Sequence, residues 1–128
     1  MGGTVIVRAR HLEGVKFELA SKKNRLIVDE QGVMPSELLL WSVAACFGQA
    51  ILYAATRMLN SVEGLSLEIQ GDYDPNAFRF SDVTIRVSSQ SPVEHMKKIA
   101  QTAKEYCFVT NSLSTSVHIE IVTRAFSE

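Results

Sequence analysis

The sequence predicts an α+β fold in the order βββ-α-ββ-α-β. Two observations carry that prediction: six strand-like segments, five of them with a period of two, and two segments with helical spacing, one of them apolar on nearly every side. Strands of alternating burial need an apolar cover, and the long helix is the only element large enough to supply it. Mostly antiparallel sheets wrapped around a central helix follow. The 128 residues suit one domain, spanning 1–128, with one core.

Each element has its own justification. Thr4 to Arg10 alternates through Val5, Val7 and Ala9, and Gly14 to Ala20 through Val15, Phe17 and Leu19. A polar turn at Ser21 to Asn24 leads into a third strand, Arg25 to Glu30. Met34-Pro35-Ser36 then opens a helix, with proline suited to its first turn and Ser36 placed to cap it. The helical pattern runs to Leu59, about 37 Å at 1.5 Å per residue. Strands at Leu65 to Tyr73 and Arg79 to Ser89 flank the turn Asp74 to Ala77. Ser91-Pro92-Val93-Glu94 is a capping box that starts a second helix, which ends near Cys107. Ser116 to Phe126 is the last strand.

Leu38 to Ala55 carries no charge, which raises the question of a membrane span. Trp41 and Tyr53 lie only about 18 Å apart along a helix axis, too close to mark both faces of a ~30 Å layer. No basic cluster flanks the stretch, and six strands need the helix as cover, so it is expected inside the protein. Covering an all-round apolar helix of this length takes more surface than one subunit offers. A second copy fits, because Ala44, Ala45, Gly48, Ala50, Ala54 and Ala55 permit close backbone approach. A homodimer is therefore expected.

A net charge of −1 gives no general attraction to nucleic acid or anionic lipid. Two cysteines form no secreted disulfide framework, and the N-terminus has no signal-peptide layout. A reducing cytoplasm is the expected compartment. Cys46 lies within the long helix, and Ser42, Gln49, Tyr53 and Thr56 all fall within about 80° of it around the axis. A polar stripe beside a thiol suits chemistry, yet free cysteine is also among the most buried residue types. Cys107 sits at a helix end, where a thiol is tunable. His11, His95 and His118 have no metal-ligand spacing with the cysteines, which leaves Cys–His chemistry the weakest reading.

"MPSELLLWSVAACFGQAI" (Met34 to Ile51), followed by "CFVTNSL" (Cys107 to Leu113), resembles the OsmC/Ohr family of osmotically inducible and organic-hydroperoxide-resistance proteins. The order of elements fits along essentially the whole chain. The resemblance implies an OsmC-like fold, an intertwined homodimer with sites at the subunit boundary, and no metal or bound organic cofactor. It implies a thiol peroxidase: Cys46 reduces an organic hydroperoxide and becomes a sulfenic acid, Cys107 resolves it to a disulfide, and an external dithiol regenerates the pair. It also implies an arginine holding the thiolate. Arg10 aligns best, with Arg8 and Arg25 as the other candidates. Two positions depart from the family pattern. Ser36 stands where the peroxidases have a glutamate paired with that arginine, and Phe108 stands where a proline follows the second cysteine. Those departures resemble a less-characterised OsmC-like branch. They keep open an alternative: a stress-associated, ligand-binding dimer without efficient peroxidase activity.

Overall fold

A computed structural model describes residues 2–124 and 126. The chain divides into two compact units, Met1–Leu39 and Leu40–Glu128. Each has one three-stranded sheet, and the long helix α1 (Pro35–Arg57) begins in the first unit and continues through the second.

The first unit is a meander of β1 (Arg8–Glu13), β2 (Lys16–Ala20) and β3 (Arg25–Val28), antiparallel throughout. The sequence places β1 earlier, at Thr4 to Arg10. The turn decides otherwise. Gly14 takes the left-handed conformation, with φ of 52°, and reverses the chain there. That fixes Arg10 opposite Glu18 and His11 opposite Phe17. Val5, Ile6 and Val7 are left exposed outside the strand. β3 stops before Glu30 because a turn follows, with the Gly32 amide donating to the Asp29 carbonyl at 3.2 Å.

The start of α1 is also capped differently. Glu37, rather than Ser36, closes it: its carboxylate accepts the Met34 amide at 3.1 Å, the returning half of a capping box. The helix ends at Arg57 in a Schellman motif. Asn60 donates to the Ala55 carbonyl at 2.9 Å and Leu59 to the Thr56 carbonyl at 3.1 Å. Leu59 holds the left-handed position with φ of 58°, where glycine is usual.

In the second unit, β4 (Ser66–Asp74) pairs antiparallel with β5 (Arg79–Ser88), and β6 (Ser116–Val122) joins β5 in parallel. The register aligns three inward rows: Leu67–Val87–Ile121, Ile69–Ile85–Ile119 and Gly71–Val83–Val117. Against them pack Val43, Phe47, Ala50, Ile51, Ala54 and Ala55 of α1, together with Met96, Ile99, Ala100 and Ala103 of α2 (Val93–Ala103). Fully burying each large side chain here stabilises by about 1.5–3 kcal/mol. Gly71 is a close approach: a Cβ there would lie 2.6 Å from the Phe80 ring. On the outer face Arg86 bridges Glu68 at 3.2 Å and Glu120 at 3.0 Å.

Two helix expectations change. α2 starts without a side-chain cap. Ser91 instead accepts the Glu63 amide at 3.4 Å and donates to the Ser61 carbonyl at 3.5 Å, tying down the loop before β4. α2 also ends earlier than Cys107. A 3₁₀ turn (Lys104–Tyr106) follows, Cys107 is extended, and a short helix α3 (Phe108–Asn111) begins after it. The expected end of the last strand includes Ala125, which lies outside the described residues. By length and composition α1 meets the requirements of a membrane span, but its Val43–Ala55 face is buried in the chain's own core. Its opposite side is bare, with Trp41, Leu52 and Tyr53 about half exposed.

Leu59→Gly tests the helix end. A non-glycine residue in the left-handed region costs about 1–2 kcal/mol, and the Leu59 side chain is almost fully exposed. The substitution is expected to stabilise the fold by about 0.5–1 kcal/mol, read as a higher denaturant midpoint at unchanged slope.

Candidate active site

α1 carries Cys46 on the edge of its buried face, flanked by buried Val43, Phe47 and Ala50. The same four-residue spacing that buries Val43, Phe47 and Ile51 leaves Cys46 half-buried. Cys107 comes from the break between the 3₁₀ turn and α3. It is fully buried. Its carbonyl accepts the Asn111 amide at 3.0 Å, so α3 holds the residue from below. These two elements bring the thiols together. Both cysteines are free, and Cys46 is among the groups that act on the Cys107 thiol.

The two sulfurs have unequal surroundings. Burial is the largest influence on Cys107 and pushes its thiol above the usual cysteine range. The hydroxyl and backbone amide of Thr110 pull the other way, because both can donate to a thiolate. The neighbouring Cys46 side chain raises Cys107 again. Burial therefore favours the protonated form of Cys107.

The polar stripe of α1 turns out to be mixed in role. Thr56 spends its hydroxyl on the Leu52 carbonyl at 3.0 Å, a local bond within the helix. Gln49 faces outward and is exposed. Tyr53 meets the Tyr106 ring edge-on, with centroids 4.9 Å apart. Tyr106 and Phe108 flank Cys107 and are both exposed. The sequence pattern did not foresee Thr110 or the Tyr53–Tyr106 contact. The only signal for Thr110 is its place three residues beyond Cys107, one helical turn away.

Arg10 lies in the first unit. Its guanidinium reaches Glu18 on the neighbouring strand at 3.4 Å, with the arginine side chain 69% exposed. A pair so exposed contributes less than about 1 kcal/mol. Arg8 and Arg25 join Arg10, Lys22 and Glu18 around a groove of about 870 Å³ on that sheet. His11 and His118 serve locally, at the Gly14 carbonyl (2.8 Å) and the Asp82 carboxylate (3.0 Å). Among the described residues no group of three or more His, Cys, Asp or Glu side chains is arranged to hold a metal ion.

A helix thiol beside a second thiol from a later helix break is the arrangement the sequence resemblance implies. A sequence model of the OsmC-like protein family matches residues 28–122. The chain belongs to the OsmC-like protein family. Solved structures share the fold. An OsmC-like protein of unknown function from Vibrio cholerae superposes with a TM-score of 0.83 at 16% identity, covering 94% of this chain and all of that one. The organic hydroperoxide resistance protein OhrB of Bacillus subtilis gives 0.69 at 21% identity, covering 94% and 98%. An organic hydroperoxide resistance protein OsmC from Legionella pneumophila gives 0.73 at 20%, covering 96% and 98%. At such identities the likeness concerns the fold. A comparison with curated proteins finds no significant match.

The raised Cys107 value has a signature in stability. The folded chain holds this proton more tightly than the unfolded chain does. The thiol's contribution is therefore intact below the ordinary value of 9.0 and is lost as pH rises toward the folded value. Denaturant midpoints measured from roughly pH 8 to pH 10 should fall more steeply for wild type than for Cys107→Ser. Parallel curves would mean that folding does not raise this thiol.

Proposed function

We propose that this OsmC-like protein is a thiol-dependent peroxidase that reduces organic hydroperoxides in oxidative-stress defence. The observation that carries the reading is the juxtaposition of Cys46 and Cys107, close enough for one to act on the other, with Cys46 half-buried and Cys107 buried. The Cys46 thiolate attacks the terminal peroxide oxygen, and the O–O bond breaks. The alkoxide takes up a proton and leaves as the alcohol, and Cys46 becomes a sulfenic acid. Cys107 then attacks the Cys46 sulfur. Its own proton leaves with the sulfenic hydroxyl as water, and an intrachain disulfide forms. A small or protein dithiol returns both thiols and is itself oxidised to a disulfide. The cycle suits a reducing cytoplasm and uses no metal or organic cofactor.

A second copy of the chain belongs to this reading. Trp41, Leu52 and Tyr53 on α1 are each about half exposed, more apolar helix surface than a monomer ordinarily leaves in water. Sedimentation at low micromolar concentration should give a dimer, and a stable monomer would remove the second subunit from the reading.

One observation favours the alternative, a dimer that binds a small ligand without efficient turnover. Ser36 cannot ion-pair with an arginine, Glu37 is spent on the helix cap, and Arg10 pairs with Glu18 instead. In the peroxidase reading Arg10 is the proposed cation for the thiolate, and its pairing with Glu18 competes with that role.

Titration with an organic hydroperoxide separates the two. Wild type should lose two free thiols per chain without covalent linkage between chains. Cys107→Ser should stop at a sulfenic acid that a carbon nucleophile traps, and Cys46→Ser should not react. Arg10→Ala should slow the first step by about tenfold or more, as loss of a charge stabilising a thiolate would. Equal slow loss of both thiols, indifferent to Arg10, would leave ligand binding as the function.

A further inference from the structure

Side chains alternate between the two faces of the first sheet. Its register puts Ala9, Leu19 and Leu26 in one row and His11, Phe17 and Val28 in the next, both on one face. The opposite face carries the rows Arg10–Glu18–Ile27 and Arg8–Ala20–Arg25. In the first of these Arg10 is paired with Glu18 at 3.4 Å. In the second, Arg8 and Arg25 have no carboxylate partner among the described residues. They stand on the strands either side of Ala20, about 10 Å apart at the backbone, and the small Ala20 side chain leaves the space between them open. Lys22, in the turn after β2 and equally without an ion pair, lines the same groove of about 870 Å³. Four cations and one carboxylate line it. The local excess of positive charge contrasts with a chain whose net charge is −1.

We propose that the row Arg8–Ala20–Arg25, with Lys22 at its rim, binds the phosphate chain of an oligophosphate-bearing ligand. Unpaired like charges on one face of a sheet repel one another, and an anion seated between them removes that repulsion. A guanidinium offers a planar fork that matches phosphate oxygens, and an ammonium adds a point charge. A single carboxylate or phosphate satisfies one fork. A chain of linked phosphates gives each guanidinium its own oxygens and carries enough charge to match Arg8, Arg25 and Lys22 together. The volume of the groove lies within the range of small-ligand pockets and is larger than one phosphate group needs. All of these residues belong to the first unit. The site is a binding property separate from the thiol chemistry, so the peroxidase reading stands or falls without it.

Calorimetric titration of the reduced, full-length protein tests the site, with sodium tripolyphosphate, ATP without added metal, and inorganic phosphate as probes. Tripolyphosphate should bind saturably, and about tenfold or more tighter than phosphate. Arg8→Gln and Arg25→Gln should each weaken it about tenfold, as loss of a charge-assisted hydrogen bond would. Arg8→Lys should retain part of the affinity, and added salt should lower it. Ala20→Leu keeps every charge but fills the floor of the groove, so it too should weaken binding. Lys98→Gln, on α2, removes a cation elsewhere and should change nothing. Denaturant midpoints close to that of wild type show that each variant is folded. ATP that binds no tighter than tripolyphosphate identifies the phosphate chain alone as the ligand, and tighter ATP identifies a nucleotide. Both results sustain the site. Four results overturn it: no saturable binding at millimolar tripolyphosphate, equal affinity for tripolyphosphate and phosphate, binding that survives Arg8→Gln and Arg25→Gln combined or Ala20→Leu, and an equal loss with Lys98→Gln.

Discussion

One face of one helix holds the second unit together. Val43, Phe47, Ala50, Ile51 and Ala54 follow the three- and four-residue steps of α1 and seat against three cross-strand rows of β4, β5 and β6. The sheet register makes that face flat enough to receive a helix, because each row puts apolar side chains or a glycine at the same height. Gly48 and Gly71 let the surfaces approach, with Leu67 near one and Leu40 and Phe80 near the other. Cys46 occupies the margin of this contact. Moving it by one residue along the helix would swing it by about 100°, either into the core or into water. The thiol's half-buried setting is thus a consequence of the packing.

The pairing of Cys46 with Cys107 divides labour between rigid and adjustable backbone. Cys46 sits mid-helix, beyond reach of the helix dipole, beside the buried Val43, Phe47 and Ala50. Cys107 sits where α2 has given way to a 3₁₀ turn and an extended residue, so its backbone is not locked into a helical ladder. Disulfide geometry demands a specific dihedral angle and Cα separation. The segment able to meet that demand is the one on the Cys107 side.

Much of this was legible in the sequence, and the failures have physical causes. Hydrophobic periodicity gave the element order and the helix bearing Cys46, because burial imposes periods of 2 and 3.6 directly on the side chains. The start of β1 was misjudged because the alternation of Val5 and Val7 says nothing about where Gly14 turns the chain. The caps were misassigned because Ser36 and Ser91 both looked suitable, while Glu37 and the loop at Ser61–Glu63 competed for the same backbone groups. The proximity of Cys46 and Cys107 is a tertiary fact with no local signal; only family resemblance hinted at it. The Tyr53–Tyr106 contact is of the same kind. Arg10 was a fair candidate by alignment, and its pairing with Glu18 depends on a register that the turn at Gly14 decides.

The parallel pairing of β5 and β6 has a consequence for the order of assembly. An antiparallel pair such as β4–β5 closes through a short turn at Asp74–Ala77, whereas a parallel pair needs a crossover of a dozen or more residues. Here that crossover holds α2, the 3₁₀ turn, Cys107 and α3. β6 cannot dock until the crossover has folded over the sheet, and such non-local contacts form late because their loop entropy is lost before the contact repays it. Cys107 lies on that crossover, so the dithiol forms only with these non-local contacts. A chain whose crossover has not yet folded has both cysteines but not the pair, so its thiols meet oxidants as two separate, unassisted groups.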